Sequence, residues 1–258
     1  MKITCLVENT SVNDKIGVEH GLSLFIESNN KRILFDMGQS DLFAVNAREL
    51  CVDLSKVDFA VLSHGHYDHG GGLLRFLELN KDAPVYLNRF AFEPHFNGTE
   101  KYIGLDRSLE ENERLIFTDG FTFICDGITL HSCNDFDLIN DIDSGGLSTL
   151  SDGEFLPDDF RHEQYMLIEE NDKRILFSGC SHKGIINICN IFKPDILIGG
   201  FHYSKYPLDE KLIKHAEKLD SYETVFFTCH CTGEEQYDFM KHHMKNLNRI
   251  SSGQTIEL

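Results

Sequence analysis

The stretch Ser63-His64-Gly65-His66-Tyr67-Asp68-His69-Gly70-Gly71-Gly72 places four metal-capable side chains within six residues. In extended backbone, residues two apart project to the same side, so His64 and His66 can grip one metal ion together. Asp68 and His69 lie just beyond, where the chain turns, and can face a second position a few ångströms away. Neutral imidazole and carboxylate are borderline ligands that suit zinc, iron or manganese. A polar turn with surface histidines is the ordinary alternative. It does not explain why the cluster follows a buried strand and opens a glycine-rich helix start.

The elements around the cluster explain its placement. The apolar run Val57-Asp58-Phe59-Ala60-Val61-Leu62 reads as a buried strand, and Leu73, Leu74 and Leu77 fall at helical spacing. The cluster thus sits at the carboxyl end of a strand, where open α/β sheets place their ligand sites. Other strand ends carry more histidines. A strand over Arg174–Ser178 ends in Gly179-Cys180-Ser181-His182, one over Asp195–Ile198 leads to His202, and one over Thr224–Thr228 leads to Cys229-His230-Cys231. An early polar loop, Asn9–Gly21, brings His20. Asp36, at the end of another strand, is placed to accept the second ring N–H of a ligand histidine and fix its orientation, or else to cap the next helix. Ser40 is a candidate cap for that helix, with Leu42, Phe43, Val45 and Leu50 inward.

The chain also repeats itself. Leu24–Gly38 reads LFIESNNKRILFDMG and Met166–Cys180 reads MLIEENDKRILFSGC. Each is followed by a helical pattern and a buried strand, Asp58–Ser63 and Asp195–Gly200. This predicts two similar β-rich halves packed face to face with helices outside. The halves span roughly 1–88 and 161–258 of a single domain, with a variable region over 89–160 that carries specificity loops and short strands at Phe121–Cys125 and Ile128–Cys133.

Composition narrows the function. The 258 residues can bury a full core. Asp and Glu number 42 against 24 Lys and Arg, a formal charge of −18. That field repels nucleic acid and anionic membranes, but not a small anionic substrate held by metal ions, which invert the local field. No uncharged apolar run approaches membrane-spanning length. The eight cysteines are scattered rather than spaced as a disulfide scaffold. With the short run Ile3–Val7 cut off by Glu8, this reads as a cytoplasmic protein with free thiols.

The His64 cluster resembles the signature of the metallo-β-lactamase fold superfamily. Glu19-His20-Gly21-Leu22-Ser23, Leu34–Gly38, Ser178–His182, Gly199-Gly200-Phe201-His202 and Cys229–Gly233 extend the resemblance to the subgroup of 7,8-dihydropterin-6-yl-methyl-4-(β-D-ribofuranosyl)aminobenzene 5′-phosphate synthase-like proteins. The resemblance implies an α/β fold, a four-layer αββα sandwich with its site at the seam, and two divalent metal ions, zinc first and iron or manganese as alternatives. It implies His230 as the final ligand. Many members carry a bridging Asp where Cys180 stands. Cys180 could ligate as thiolate, or His182, on the same side if the turn stays extended, could take that one position; the subgroup resemblance favours His182.

The expected metal set is therefore His64, His66, Asp68, His69, His182 and His230, with His131 and His162 in reserve. Cys229 and Cys231 are expected to point away from His230, on the opposite strand face. Asp68 and His202 are the expected catalytic groups, and His20 and His202 are expected to touch substrate. The chemistry expected is hydrolysis of a small anionic substrate, a phosphoester among the candidates, by a metal-bound hydroxide. Pterin-linked transfer of the synthase type is the alternative, and an iron-based redox or O2-handling role the third. Negligible binding of DNA or RNA at physiological salt follows from the charge; submicromolar binding with a steep salt slope in a filter or anisotropy assay would refute it.

Overall fold

A computed structural model describes residues 1–258. The first half runs β1 (Lys2–Val7), β2 (Ser23–Ser28), β3 (Lys31–Phe35), α1 (Leu42–Glu49), β4 (Phe59–Val61), α2 (Tyr67–Gly70), α3 (Leu73–Leu79) and β5 (Val85–Asn88). The middle adds β6 (His95–Asn97), β7 (Lys101–Tyr102), β8 (Leu115–Thr118), β9 (Phe121–Cys125), β10 (Ile128–His131), β11 (Leu147–Ser151) and β12 (Glu154–Pro157). The second half supplies β13 (Tyr165–Glu170), β14 (Lys173–Phe177), α4 (Ile185–Phe192), β15 (Ile196–Ile198), α5 (Glu210–Asp220), β16 (Val225–Thr228), α6 (Glu234–Lys241), β17 (Leu247–Arg249) and β18 (Thr255–Glu257).

Two seven-stranded mixed sheets form, in the orders β18-β1-β2-β3-β4-β5-β8 and β17-β16-β15-β14-β13-β10-β9. The repeat becomes a matching pair of hairpins. In β2–β3, Ile26 pairs with Ile33 across the turn Asn29-Asn30; in β13–β14, Ile168 pairs with Ile175 across Asn171-Asp172. All four turn residues have φ between 49° and 59°. Two consecutive left-handed residues give the turn whose twist matches the flanking strands, and Asn and Asp tolerate that region best. Each hairpin is then followed by a helical crossover to a parallel strand, β3 to β4 and β14 to β15. Parallel pairing demands such a crossover.

The sheets pack on one apolar layer that includes Ile26, Ile33, Phe35 and Val61 from one side and Ile168, Ile175, Phe177 and Ile198 from the other. Phe35 and Phe177, equivalent in the repeat, meet with ring centroids 5.8 Å apart. A second cluster seats α1 and α3 on the outside of the first sheet, and a third seats α4, α5 and α6 outside the second. The order of layers is therefore helix, sheet, sheet, helix.

Some details depart from expectation. Val45 is 46% exposed and lies off the buried face of α1, which is made by Phe43, Ala44, Asn46 and Ala47. The helix is capped at Asp41 without a side-chain bond; Ser40 Oγ still accepts the Leu42 N–H at 3.2 Å. The middle region holds the two expected strands, β9 (Phe121–Cys125) and β10, which stops at His131, and more besides. It gives β8 to the first sheet and β9 and β10 to the second, and it builds a separate antiparallel sheet, β12-β11-β6-β7. No helix is long and apolar enough to cross a membrane.

The strands β4, β14, β15 and β16 all end at the same edge, which positions everything that follows. Phe177→Ala should cost about 3–5 kcal/mol by opening the layer between the sheets; a loss below about 1 kcal/mol in denaturant unfolding would contradict this packing account.

Candidate metal centre

The base of the site is a single buried carboxylate. Asp36 follows β3 with φ +58° and is fully buried. Its Oδ1 accepts the Ser63 backbone N–H at 2.7 Å, and its Oδ2 accepts both Ser63 Oγ–H and His69 Nδ1–H at 2.7 Å. Ser63 Oγ, having donated its hydrogen, is left to accept from His64 Nδ1 at 2.9 Å. One carboxylate therefore fixes the tautomers of two histidines and turns the Nε2 lone pair of each forward.

His230 is fixed separately. Asn9 Oδ1 accepts its Nδ1–H at 3.0 Å, and Glu8 Oε1 accepts its backbone N–H at 2.6 Å. His182 is held by Glu163, whose carboxylate accepts the backbone N–H groups of His182 and Lys183 at 2.7 and 3.1 Å and the Tyr165 hydroxyl. Burial raises the Glu163 carboxyl and depresses the Lys183 ammonium. Lys183 Nζ finds Ser132 O and Asn134 Oδ1 at 2.6 and 2.7 Å. His182 also stacks on Phe160, centroids 4.3 Å apart at 10°.

Two groups result. In one, His64 Nε2 and His182 Nε2 lie 3.3 Å apart, and donor atoms of His64, His66 and His182 fall within 4.8 Å of one another. In the other, His69 Nε2 and His230 Nε2 lie 3.2 Å apart, and Asp68 Oδ2 is 3.3 Å from His230 Nε2 and 4.0 Å from His69 Nε2. Lone pairs aimed at each other across such gaps repel. A cation between them removes the repulsion, and tetrahedral zinc with Zn–N bonds of 2.0–2.1 Å has ligand–ligand edges of roughly 3.3 Å. The donors present fit two metal ions.

Their protonation fits too. Burial pushes the pKa values of His64, His66 and His182 well below the usual imidazole range, and that of His230 down to about 4. His69 differs: burial lowers it, but the charges of Asp36 and Asp68 outweigh that and raise it. Burial likewise works to raise the Asp68 carboxyl, yet the charge of His69 and hydrogen bonds from His20 and His230 hold it well below the usual carboxylate range.

The structure brings His20 and His202 to the rim. His20 Nε2 is 3.2 Å from Asp68 Oδ2, with its side chain 55% exposed. The His202 ring stands 4.3 Å from that of His182, on a residue with φ +56°. His131 is remote, on β10 between Phe121 and Phe192. His162 is close, 5.0 Å from the His66 ring, but its Nδ1 accepts the Gly65 N–H at 2.9 Å.

Two expectations change. Cys180 and His182 do not converge on one position: Ser181 is left-handed, with φ +59°, so the chain turns between them. Cys180 Sγ instead lies 3.2 Å from His69 Nε2. Cys231 does not point away. Residues His230–Thr232 form a 3₁₀ turn rather than a strand, so side-chain alternation fails, and Cys231 Sγ reaches Cys180 O at 3.5 Å. Cys229 does face the apolar layer between the sheets.

Close approach of the two halves depends on Gly179. A Cβ there would sit 2.1 Å from Ser63 Oγ and 3.1 Å from His64 Nδ1, so only glycine lets β14 end against the histidine cluster. A cavity of about 270 Å³ opens beside His182 and His202, with Asp143, Tyr206 and Lys211 on its wall. A larger one of about 600 Å³ opens beside His20 and His230.

Sequence reasoning misses Glu163 and the pair His95–Asp158. Glu163 adjoins His162, but its role runs through backbone amides, which no residue pattern announces. Asp36→Asn should cost the metal-free protein about 2–4 kcal/mol in denaturant unfolding, because one acceptor becomes a donor facing Ser63 and His69. A loss under about 1 kcal/mol would show that Asp36 is not the keystone of this network.

The model of the metallo-beta-lactamase superfamily matches residues 16–230. The 7,8-dihydropterin-6-methyl-4-(beta-D-ribofuranosyl)-aminobenzene-5′-phosphate synthase of Methanocaldococcus jannaschii is 31% identical over 290 aligned positions, covering 100% of this chain and 96% of the synthase. The crystal structure of Tm1679, a metal-dependent hydrolase of the beta-lactamase superfamily, superposes with a TM-score of 0.86 at 30% identity, over 100% of this chain and 99% of that one. Zn(2+)-bound PqqB from Methylobacterium extorquens shares the fold at a TM-score of 0.61 and 10% identity, over 100% of both chains. With its paired sheets, its histidine-lined strand ends and these relatives, the chain belongs to the metallo-β-lactamase superfamily.

Proposed function

We propose that the protein is a binuclear metal-dependent hydrolase of small anionic substrates, with phosphoesters the leading class. The observation that carries it is the facing of buried imidazole lone pairs, 3.2 Å apart in one group and 3.3 Å in the other. In this reading His64, His66 and His182 hold one ion, and Asp68, His69 and His230 hold the other. Two divalent ions there, zinc first with iron or manganese as alternatives, supply Lewis-acid polarisation and a water of lowered pKa.

The chain's own residues do the rest. Asp68 lies between the second group and His20, and can orient the attacking water by accepting its hydrogen bond. His20, exposed and linked to Asp68, is placed to meet substrate. His202 has its pKa pushed down to about 4 by burial, with Lys205 adding to the effect. At neutral pH it is an uncharged ring that can donate a hydrogen bond to a developing anion without adding charge. Lys211 gives the smaller cavity one cation at its wall.

A second reading is pterin-linked transfer, favoured by the full-length 31% identity to the synthase. Pyrophosphate release from a pterin donor in the presence of a ribosyl-aminobenzene phosphate marks transfer; turnover of phosphoesters alone marks hydrolysis. A panel of phosphodiesters, phosphomonoesters, thioesters and lactams, run on protein whose metals have been counted by elemental analysis, tests both. Inactivity toward every phosphoester would overturn the leading class.

The ligand set has its own test. His182→Ala should lose one metal equivalent and most activity, and Cys180→Ser should keep both equivalents and much of the activity. Metal lost in Cys180→Ser and kept in His182→Ala would reverse the assignment.

A further inference from the structure

Behind His66 lies a second buried group. Donor atoms of His66, His95, Asp158 and His162 fall within 4.8 Å of one another, and all four residues are buried. His95 opens β6 and Asp158 follows β12, so two of them come from the separate sheet of the middle region. Three imidazoles and a carboxylate invite a third metal position. The hydrogen bonds speak against it. A backbone N–H can only donate, and that of Gly65 donates to His162 Nδ1 at 2.9 Å. The hydrogen of the neutral His162 ring is therefore on Nε2, 3.5 Å from Asp158 Oδ2, and that nitrogen has no lone pair for a metal.

His95 has the opposite tautomer. Its Nδ1 lies 2.8 Å from the same carboxylate oxygen and must be the donor, which leaves the lone pair on Nε2. That Nε2 is buried and has no hydrogen-bond partner, and neither has the buried Nε2 of His66. The two rings stand edge to face, centroids 5.5 Å apart at 77°. The Nε2 of His162 is unpartnered as well, but its ring lies over that of His95, centroids 3.8 Å apart at 35°, and cannot donate in the plane of the His95 lone pair; the His66 ring meets His95 at its edge, and the two complement each other if His66 carries its hydrogen on Nε2.

We propose that Asp158 and His95 are positioning residues for His66: Asp158 fixes His95 with its Nε2 lone pair toward His66, and His95 accepts the His66 Nε2–H, so that His66 presents Nδ1 to the metal position it shares with His64 and His182. His162, packed against His95 with centroids 3.8 Å apart and tied to Gly65, braces the pair from behind. The arrangement is a carboxylate–imidazole relay onto a ligand imidazole, which holds the ring and raises its basicity. It rests on the metal reading given above, and it makes the middle region part of the metal centre rather than only a wall of the substrate cavity.

The test is metal binding, read without turnover. Full-length metal-free protein is titrated with zinc against a chromophoric chelator, and cobalt(II) absorption is recorded in parallel. Two equivalents in the wild type support the metal reading; fewer than two sink that reading whatever the variants do. Given two, His95→Ala and Asp158→Asn should each weaken one equivalent by about 10–100-fold, leave the other unchanged, and alter the cobalt band of the weakened position only. His95→Gln, whose amide oxygen can accept from His66, should recover much of the lost affinity and guards against a His95→Ala variant that fails to fold. Equal weakening of both equivalents, or a lower melting temperature of the metal-free protein with both affinities intact, would reduce the pair to a structural role and overturn the proposal. Three equivalents in the wild type, with one lost outright in His95→Ala, would overturn it in favour of a third metal position.

Discussion

Everything at the site depends on one buried anion that is fully satisfied. Asp36 takes hydrogen bonds from a backbone N–H, a hydroxyl and an imidazole, each at 2.7 Å. Burying a carboxylate is costly unless its lone pairs are used, and here the partners that satisfy it are the groups that must be aimed. The serine passes the constraint on to His64 and the imidazole is His69, so one carboxylate sets one histidine in each donor group. The rest of the first sheet serves this point. The β2–β3 hairpin delivers Asp36 to the strand end, the α1 crossover brings β4 alongside, and β4 delivers Ser63.

The repeat shows how the second half differs. The two hairpins match in register up to Phe35 and Phe177, which meet across the layer between the sheets. One residue later they part. Asp36 corresponds to Ser178, whose hydroxyl serves only Ser181 at 2.7 Å, and Met37 corresponds to Gly179. The first half spends its strand end on a carboxylate that orients histidines. The second spends its strand end on small residues that let it approach those histidines, and then turns at Ser181 to send Cys180 and His182 to different neighbours. A shared scaffold thus yields a site by diverging only past the last paired residue, where no strand geometry is at stake.

The amino-acid pattern made much of this legible. Period-two and helical spacings, two Asn/Asp turns and the repeat determine the layers, and the His64–His69 spacing is local enough to announce two facing donor groups. The orienting role of Asp36 is legible for the same reason, a carboxylate standing at a strand end in a repeat. His95 and Asp158 are not. Each is a single polar residue at the end of a short strand, 29 and 92 positions from His66, and their meeting depends on a sheet assembled from four separate pieces of the middle region. The Cys231 orientation failed for a narrower reason: alternation holds in strands, and a 3₁₀ turn begins at His230.

The net charge of −18 and the small anionic substrate proposed for the site are reconciled by where the charges lie. Burial disfavours charge on the imidazoles that face one another, Asp36 and Asp68 offset that at His69 alone, and the carboxylates Asp36, Asp68 and Asp158 are each engaged by histidine. A site of this composition has spare lone pairs and anionic charge but little positive charge of its own. Its preference is for cations, and two divalent ions would add four positive charges at one strand-end edge, in contact with a bound substrate, whereas acidic groups farther off than a Debye length of about 8 Å are largely screened from it. The surface field then acts on large polyanions, which it repels, while a small anion that reaches the cavity meets mainly the ions. On the proposed function, selection of small over polymeric anions would follow from that separation of scales.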